Sequence, residues 1–357
     1  MRCPFCNNTV IVPDVLRRTR SLPPLPGQKT SVVPLLIIGV VVSVVLVAGV
    51  VVTIAISFLR PARVANVSPT LPRQTLDIPR PSTPKTTPSP AGFATEVLKF
   101  GSEGTGAGTF TDARHIAVDG EGRIYVGEYS GGRVQGFDAA GKFITQWIAD
   151  AKMPMRGLAA DRKGTVYVVQ RGKIERREGA TGALLGVVQY ADGNDFDDVT
   201  MTAEGGLIAA WQRHRDDIVR FDASGRVVKV IKAAISGQTD RSELQTRVAV
   251  DGAGNTYALG TFNNAVFKFS PDGRFINKFG GDGNGPGQFR APLSIAVDHR
   301  GRVYVSDIKG IQVFDGDGRY LTTFKPSPIA FGMVFNDNKE LFVAARTQVF
   351  KLTLNEP

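Results

Sequence analysis

The chain has 357 residues, with 42% hydrophobic residues, two cysteines and a formal net charge of +10 at pH 7. That composition excludes a disordered or collagen-like chain, and two cysteines exclude a disulfide framework. The charge is lopsided: residues 1–92 carry ten Lys and Arg against two acids (+8), and the rest carries 33 against 31 (+2), too little for a nucleic-acid surface.

Residues 1–31 read as a short basic segment. Cys3-Pro-Phe-Cys6 has the spacing and turn composition of one zinc-ribbon knuckle. A structural zinc takes four ligands, and residues 1–92 hold no further Cys and no His. Two chains would complete the site, giving zinc on Cys3 and Cys6 shared in a homodimer; the alternatives are a knuckle that binds nothing or a transient redox pair.

Val32–Leu59 is a run of 28 residues without a charge, closed by Lys29 and Arg60. At about 1.5 Å per residue it exceeds a hydrocarbon core of about 30 Å, so residues 32–59 are predicted to be a single transmembrane helix in the lipid bilayer. The run starts too late and lasts too long for a cleaved signal peptide. Gly39 and Ser43 make a small-xxx-small pair that suits helix pairing. Flanking cations tie, with Arg17, Arg18, Arg20 and Lys29 before the helix and Arg60, Arg63, Arg73 and Arg80 after it. Reduced thiols at Cys3 and Cys6 favour a cytoplasmic N-terminus, which places the rest of the chain outside the cytoplasm. Residues 60–92 form a linker, with eight prolines and eight Ser or Thr from Pro61 onward, and are expected to be extended.

From residue 93 to 357 a repeat takes over. Ile116-Ala-Val-Asp119, Leu158-Ala-Ala-Asp161, Val199-Thr-Met-Thr202, Val248-Ala-Val-Asp251, Ile295-Ala-Val-Asp298 and Met333-Val-Phe-Asn336 each lead through a turn into a second apolar strand. Glycine follows the Asp position by three residues in five copies (Gly122, Gly164, Gly205, Gly254, Gly301), where a tight turn needs positive φ. The sixth copy has Lys339, so its turn is expected to differ. Third and fourth strands follow, as in Ile311-Gln-Val-Phe314 and Arg319-Tyr-Leu-Thr-Thr-Phe324. Four strands per unit make an all-β, six-bladed propeller. The last unit lacks a fourth strand, and Thr95-Glu-Val-Leu-Lys-Phe100 has that strand's pattern. The N-terminal strand of the domain is therefore expected to close the ring.

Phe279 to Phe324, with Gly-Pro-Gly-Gln-Phe289, Ser294-Ile-Ala-Val-Asp298 and Val303-Tyr-Val-Ser-Asp307, resembles an NHL repeat, and Val97 to Trp147 resembles a second. The resemblance implies an NHL-type propeller and leaves the function open, since such propellers serve as binding modules, scaffolds and enzymes. A proline-rich stalk carrying a propeller also resembles the extracytoplasmic part of some bacterial receptor Ser/Thr kinases.

Ligand sites in propellers usually lie where the inner strands begin. Register places Arg114, His115, Arg156, Asp197, Asp198 and Arg247 there, together with Thr246, Leu293, Ser294 and Phe331. Such a mixed ring suits a small anionic or zwitterionic ligand or an acidic protein segment; the alternative is a ring of ion pairs that satisfies itself. Lactonase-type and amidating-lyase propellers hold a divalent metal at the mouth. Here His115 is the one histidine in register, with His214 in a loop and His299 in an exposed turn. The loop from Asp192 to Asp198 is acidic enough to draw calcium near Asp195, Asp197 and Asp198, yet lacks the closing Glu of an EF-hand loop. No Gly-x-Ser-x-Gly elbow, phosphate loop or His-Glu-x-x-His appears. Arg171, Lys173, Arg176 and Arg177 interleave with Glu175 and Glu178 as a solvated edge does, so RNA is not the expected partner. The reading is a membrane-anchored binding, scaffold or sensor module for a protein, an envelope polymer or a small anion, with no cofactor required. The alternative is a lyase- or lactonase-type enzyme with a metal near His115 and Asp198.

Overall fold

The computed structural model describes residues 92–211, 216–326 and 328–355. The Cys3/Cys6 pair, the apolar run, the linker up to residue 91 and His214 lie outside them. The described residues belong to the compact unit Lys85–Pro357 and consist of strands and turns. Among them no helix is long and apolar enough to cross a membrane.

The first strand, β1, is Ala94–Phe100. Blade 1 holds β2 (Ala113–Val118), β3 (Ile124–Glu128), β4 (Arg133–Phe137) and β5 (Phe143–Ile148). Blade 2 holds β6 (Gly157–Ala160), β7 (Thr165–Gln170), β8 (Lys173–Glu178) and β9 (Leu184–Val187). Blade 3 holds β10 (Phe196–Met201), β11 (Leu207–Trp211), β12 (Asp217–Phe221) and β13 (Val227–Ile231). Blade 4 holds β14 (Thr246–Val250), β15 (Thr256–Gly260), β16 (Ala265–Phe269) and β17 (Phe275–Gly280). Blade 5 holds β18 (Ser294–Val297), β19 (Val303–Asp307), β20 (Gly310–Phe314) and β21 (Tyr320–Phe324). Blade 6 holds β22 (Gly332–Phe335), β23 (Leu341–Ala345) and β24 (Gln348–Leu354).

Each blade is a four-stranded sheet, and β1 supplies the fourth strand of blade 6 in the order β1-β24-β23-β22. Ala94 lies opposite Leu354 and Phe100 opposite Val349, in antiparallel register. Ring closure by the early strand is therefore as expected. It covers the edge that β24 would otherwise expose to other chains.

Burial explains the sequence pattern strand by strand. Every residue of β3, β11, β15, β19 and β23 is buried, because a second strand is covered by a neighbouring blade on both faces. Such strands read as uninterrupted apolar runs. Fourth strands lie on the outer edge and alternate, as in β21, where Leu321 and Thr323 are exposed. The core is divided among the blade contacts: Ile116, Val126 and Phe137 of blade 1 pack against Phe342 and Val349 of blade 6, and five similar clusters fill the other contacts.

The Asp-led turns have one chemistry. In Asp298, Oδ1 accepts the amides of Arg300 and Arg302, each at 2.9 Å, while Oδ2 accepts Arg302 Nε at 2.7 Å and the Tyr304 hydroxyl at 3.0 Å. Asp119 repeats the arrangement with Glu121, Arg123 and Tyr125, and Asp251 with Ala253, Asn255 and Tyr257. Burial and the neighbouring carboxylate push the Tyr125 hydroxyl up to about 12. The expectation that the sixth turn differs is corrected. Lys339 adopts φ 66°, its amide reaches Asn336 O at 3.1 Å, and Asn336 N reaches Glu340 O at 3.1 Å, the pattern of the glycine-bearing turns. Turn hydrogen bonds hold a non-glycine residue in the left-handed region at a cost of about 1 kcal/mol.

Candidate functional site

The inner strands β2, β6, β10, β14, β18 and β22 each stand at one edge of their sheet, so one backbone edge of each faces the axis. They surround a channel of about 800 Å3. Their first residues gather at one rim, the mouth, and the Asp-led turns form the opposite rim. Ala94, paired with Leu354 at the end of β24, also lies at the opposite rim.

Register-equivalent positions at the mouth are His115, Gly157, Asp198, Arg247, Ser294 and Gly332, each just before the repeat's apolar triplet. Two of them cap the next blade. Asp198 Oδ2 accepts the Val248 amide at 3.0 Å, and Ser294 Oγ accepts the Met333 amide at 3.1 Å. Both amides sit on open inner edges that would otherwise lose a partner. The two glycines stand where there is no room for a side chain: a Cβ at Gly332 would lie 2.4 Å from Arg114 O, and one at Gly157 would lie 3.0 Å from Asp198 Oδ1.

Arg114, His115, Asp198 and Arg247 line the channel, as register implied, whereas Arg156 and Asp197 stand back from its wall. Arg247 is a tie across three blades. Its Nη1 donates to the carbonyl of Arg156 in blade 2 and to Asp197 O in blade 3, and lies 3.6 Å from Asp198 Oδ1. Arg114 makes a bidentate pair with Asp112, both contacts at 2.9 Å, and stacks on Tyr129 with 4.3 Å from guanidinium carbon to ring centroid. Arg156 is the looser cation: its side chain is 39% exposed and its ion pair with Asp197 is 3.8 Å long.

His115 is buried, with Nε2 at 3.0 Å from Met155 O. A carbonyl only accepts, so Nε2 carries the proton and Nδ1 keeps its lone pair. Burial first, then the charges of Arg247, Arg114 and Arg156, lower its pKa to about 3, so the ring is neutral throughout the physiological range. Asp198 goes the other way: burial outweighs Arg247 and raises its pKa to about 6. Asp197 is also raised, by burial, and its Oδ2 has no hydrogen-bond partner.

The three aspartates named for calcium do not converge. Asp198 is turned to Val248 N and Arg247, and Asp197 to Arg156. Among the described residues no three His, Cys, Asp or Glu side chains gather closely enough to hold a metal ion. His299 sits in an exposed turn, as its sequence context indicated.

Glu243 was missed by sequence reasoning. Its Oε1 accepts the amides of Leu244, Gln245 and Phe262, and its Oε2 accepts Asn263 N and Nδ2. In blade 1 the same service comes from Glu128 at the end of β3, which accepts Thr111 N and Asp112 N, and in blade 5 from Asp307, which accepts Arg290 N. Blade 4 has Gly260 at that place, and a Cβ there would lie 2.6 Å from Glu243 Oε2. The acid-to-glycine exchange at the strand end was the available signal.

A family profile described as a 6-bladed beta-propeller matches residues 239–343. NHL repeat-containing protein 3 of Homo sapiens is 31% identical over 144 residues, which are 36% of this chain and 41% of that protein. Over that stretch the chain is similar to a protein of NHL repeats. The Mus musculus counterpart is 32% identical over the same extent, so the chain spans about 41% of the length of the curated relatives it matches. Among solved structures, a gluconolactonase of Xanthomonas campestris superposes with a TM-score of 0.54 at 16% identity, over 73% of this chain and 99% of that one. The WD40 propeller domain of Doa1 superposes with a TM-score of 0.50 at 10% identity, over 74% and 98%. At such identities the likeness is one of fold.

Proposed function

We propose that this NHL-type propeller is a binding module that takes an anionic group at its mouth, carried by a protein segment, an envelope polymer or a small molecule. The observation that carries this reading is a cluster of three guanidinium groups, those of Arg247, Arg114 and Arg156, near the buried His115, whose proton affinity is lowered first by burial and then by their charges. Each guanidinium has a carboxylate partner, Arg114 with Asp112, Arg247 with Asp198 and Arg156 with Asp197, and the Arg156 pair is the longest of the three. Arg156 is the residue to engage a ligand, because it is exposed and weakly paired. Arg247 and Arg114 shape the field while remaining tied to the protein.

A membrane attachment through residues 32–59 fits this role, supported by 28 uncharged residues between Lys29 and Arg60. With the N-terminus in the cytoplasm the propeller faces outward, and Cys3 and Cys6 of two chains share a zinc ion. Protease treatment of intact cells tests the orientation: the propeller is cleaved, and protection of it reverses the assignment. Metal analysis of the full chain beside Cys3→Ser tests the zinc.

Binding itself is tested with polyglutamate and polylysine on the purified full chain. Polyglutamate is expected to bind, to weaken with salt and to weaken at least about tenfold in Arg156→Glu. Equal binding of polylysine, or none of either polymer, defeats the reading.

A further inference from the structure

Anion capture at the mouth has a built-in competitor. Asp198 stands in the inner ring with its side chain 15% exposed, so it meets solvent through the channel. Its Oδ2 accepts Val248 N, and its Oδ1 faces Arg247 Nη1. The carboxylate therefore occupies the place beside Arg247 that an incoming anion would take. Gly157 leaves room for it from the blade 2 side.

Arg247 does not depend on that carboxylate for its position. The carbonyls of Arg156 and Asp197 both accept from Nη1. When Asp198 takes up a proton the guanidinium stays where it is, and its charge loses its nearest counter-charge. The Val248 amide keeps an acceptor, since a neutral carboxyl retains a carbonyl oxygen.

We propose that Asp198 is a proton-operated gate on anion affinity at the mouth: ionised it fills the anion's place, and protonated it yields that place to a small oxyanion or carboxylate. This rests on the binding reading above and adds its regulation. The charged and titratable neighbours agree with it from each side. From β2, Arg114 is neutralised by Asp112, and His115 is neutral. From the blade 2 side comes Arg156, and from β14 comes Arg247. On β10 itself stands Asp197, which feels Asp195 and Glu243 and has its own proton affinity raised by burial. Burial likewise sets the proton affinity of Asp198 at about 6, inside the range a compartment can traverse. Ser294 and Gly332 close the ring without charge. Histidine is the usual sensor in this range, but here burial has silenced it.

Sulfate is the suitable probe, because it stays a dianion between pH 5 and pH 8. Its affinity for the full chain is measured by calorimetry at pH 7.5 and pH 5.0, for the native protein and for Asp198→Asn, which keeps an acceptor for Val248 N. Native affinity is expected to rise roughly tenfold or more on acidification, and Asp198→Asn to bind tightly at both pH values. Equal native affinity at the two pH values overturns the gate and leaves the anion site standing. Absence of sulfate binding in both proteins at both pH values removes the site together with the gate. Binding that is unchanged in both Arg156→Gln and Arg247→Gln marks an adventitious ion only, and likewise removes both.

Discussion

The two rims of the ring are built on opposite rules. On the rim of the Asp-led turns, three blades repeat one arrangement, with Asp119, Asp251 and Asp298 each accepting two turn amides and a tyrosine hydroxyl. At the mouth, equivalent positions hold six choices from five residue types, and the acids there bind protons more readily than usual. Saturated carboxylates do structural work and have nothing left to offer a ligand. The irregular rim is where the proposed anion site lies.

The largest effect expected concerns the seam that both rims share. A chain beginning at residue 101 lacks β1, so Val349, Phe350 and Lys351 lose their strand partners and Phe137 loses Phe100, whose ring centroid is 4.7 Å away. Against a chain beginning at residue 92, its melting temperature is expected to fall by more than about 15 °C, or its unfolding to lose cooperativity. Calorimetry of the two chains decides this, and equal melting would deny the closing strand its role.

Asp298→Ala is expected to cost about 3 kcal/mol in urea unfolding, because two amides, a guanidinium and a buried hydroxyl lose one acceptor group. Sulfate or polyglutamate binding should not change. The contrast at the mouth is between two arginines. Arg247→Ala is expected to cost about 2 kcal/mol, since it unties three blades and leaves Asp198 without its partner. Arg156→Ala should cost less than about 1 kcal/mol, while weakening anion binding more than any change on the other rim. Similar losses of stability for the two would erase the distinction between tie and ligand residue.

Asp198 also leaves a mark on stability. Its pKa in the fold, about 6, lies above an unfolded value of about 3.9, so the fold binds the proton more tightly. The stability this contributes is complete below about pH 4 and is lost as pH rises through 6. The difference is expected to reach at most about 3 kcal/mol, and Asp198→Asn should remove it. Urea unfolding from pH 4 to pH 8 shows this as a slope in the native protein that flattens in the variant. The smallest effect belongs to Lys339→Gly, expected to stabilise by up to about 1 kcal/mol by relieving φ 66°.

Six blades, four strands in each and closure by residues 95–100 were all legible, because each follows from periodicity and from a missing strand with a matching spare. Of the six mouth residues named for a ligand, Arg114, His115, Asp198 and Arg247 were legible by register as channel lining, whereas Arg156 and Asp197 stand back from it. Their roles were not. Arg156 and Arg247 look alike in the sequence, and only the carbonyls of Arg156 and Asp197 make one of them a tie. His115 stands among the residues named for a ligand, and burial, then three guanidinium groups, keep it neutral, whereas burial raises the pKa of Asp198 to about 6. Lys339 looked like a break in the repeat, yet neighbouring hydrogen bonds impose the same turn.

By itself, the order of residues determined the repeat, the strands and their faces, since apolar alternation and turn chemistry act between near neighbours along the chain. Tertiary structure alone decided which mouth charges are spent and which remain available. Desolvation and ion pairing depend on distances between blades, and residues 50 or 91 positions apart, such as Arg247 with Asp197 and Arg156, meet only once the ring has closed.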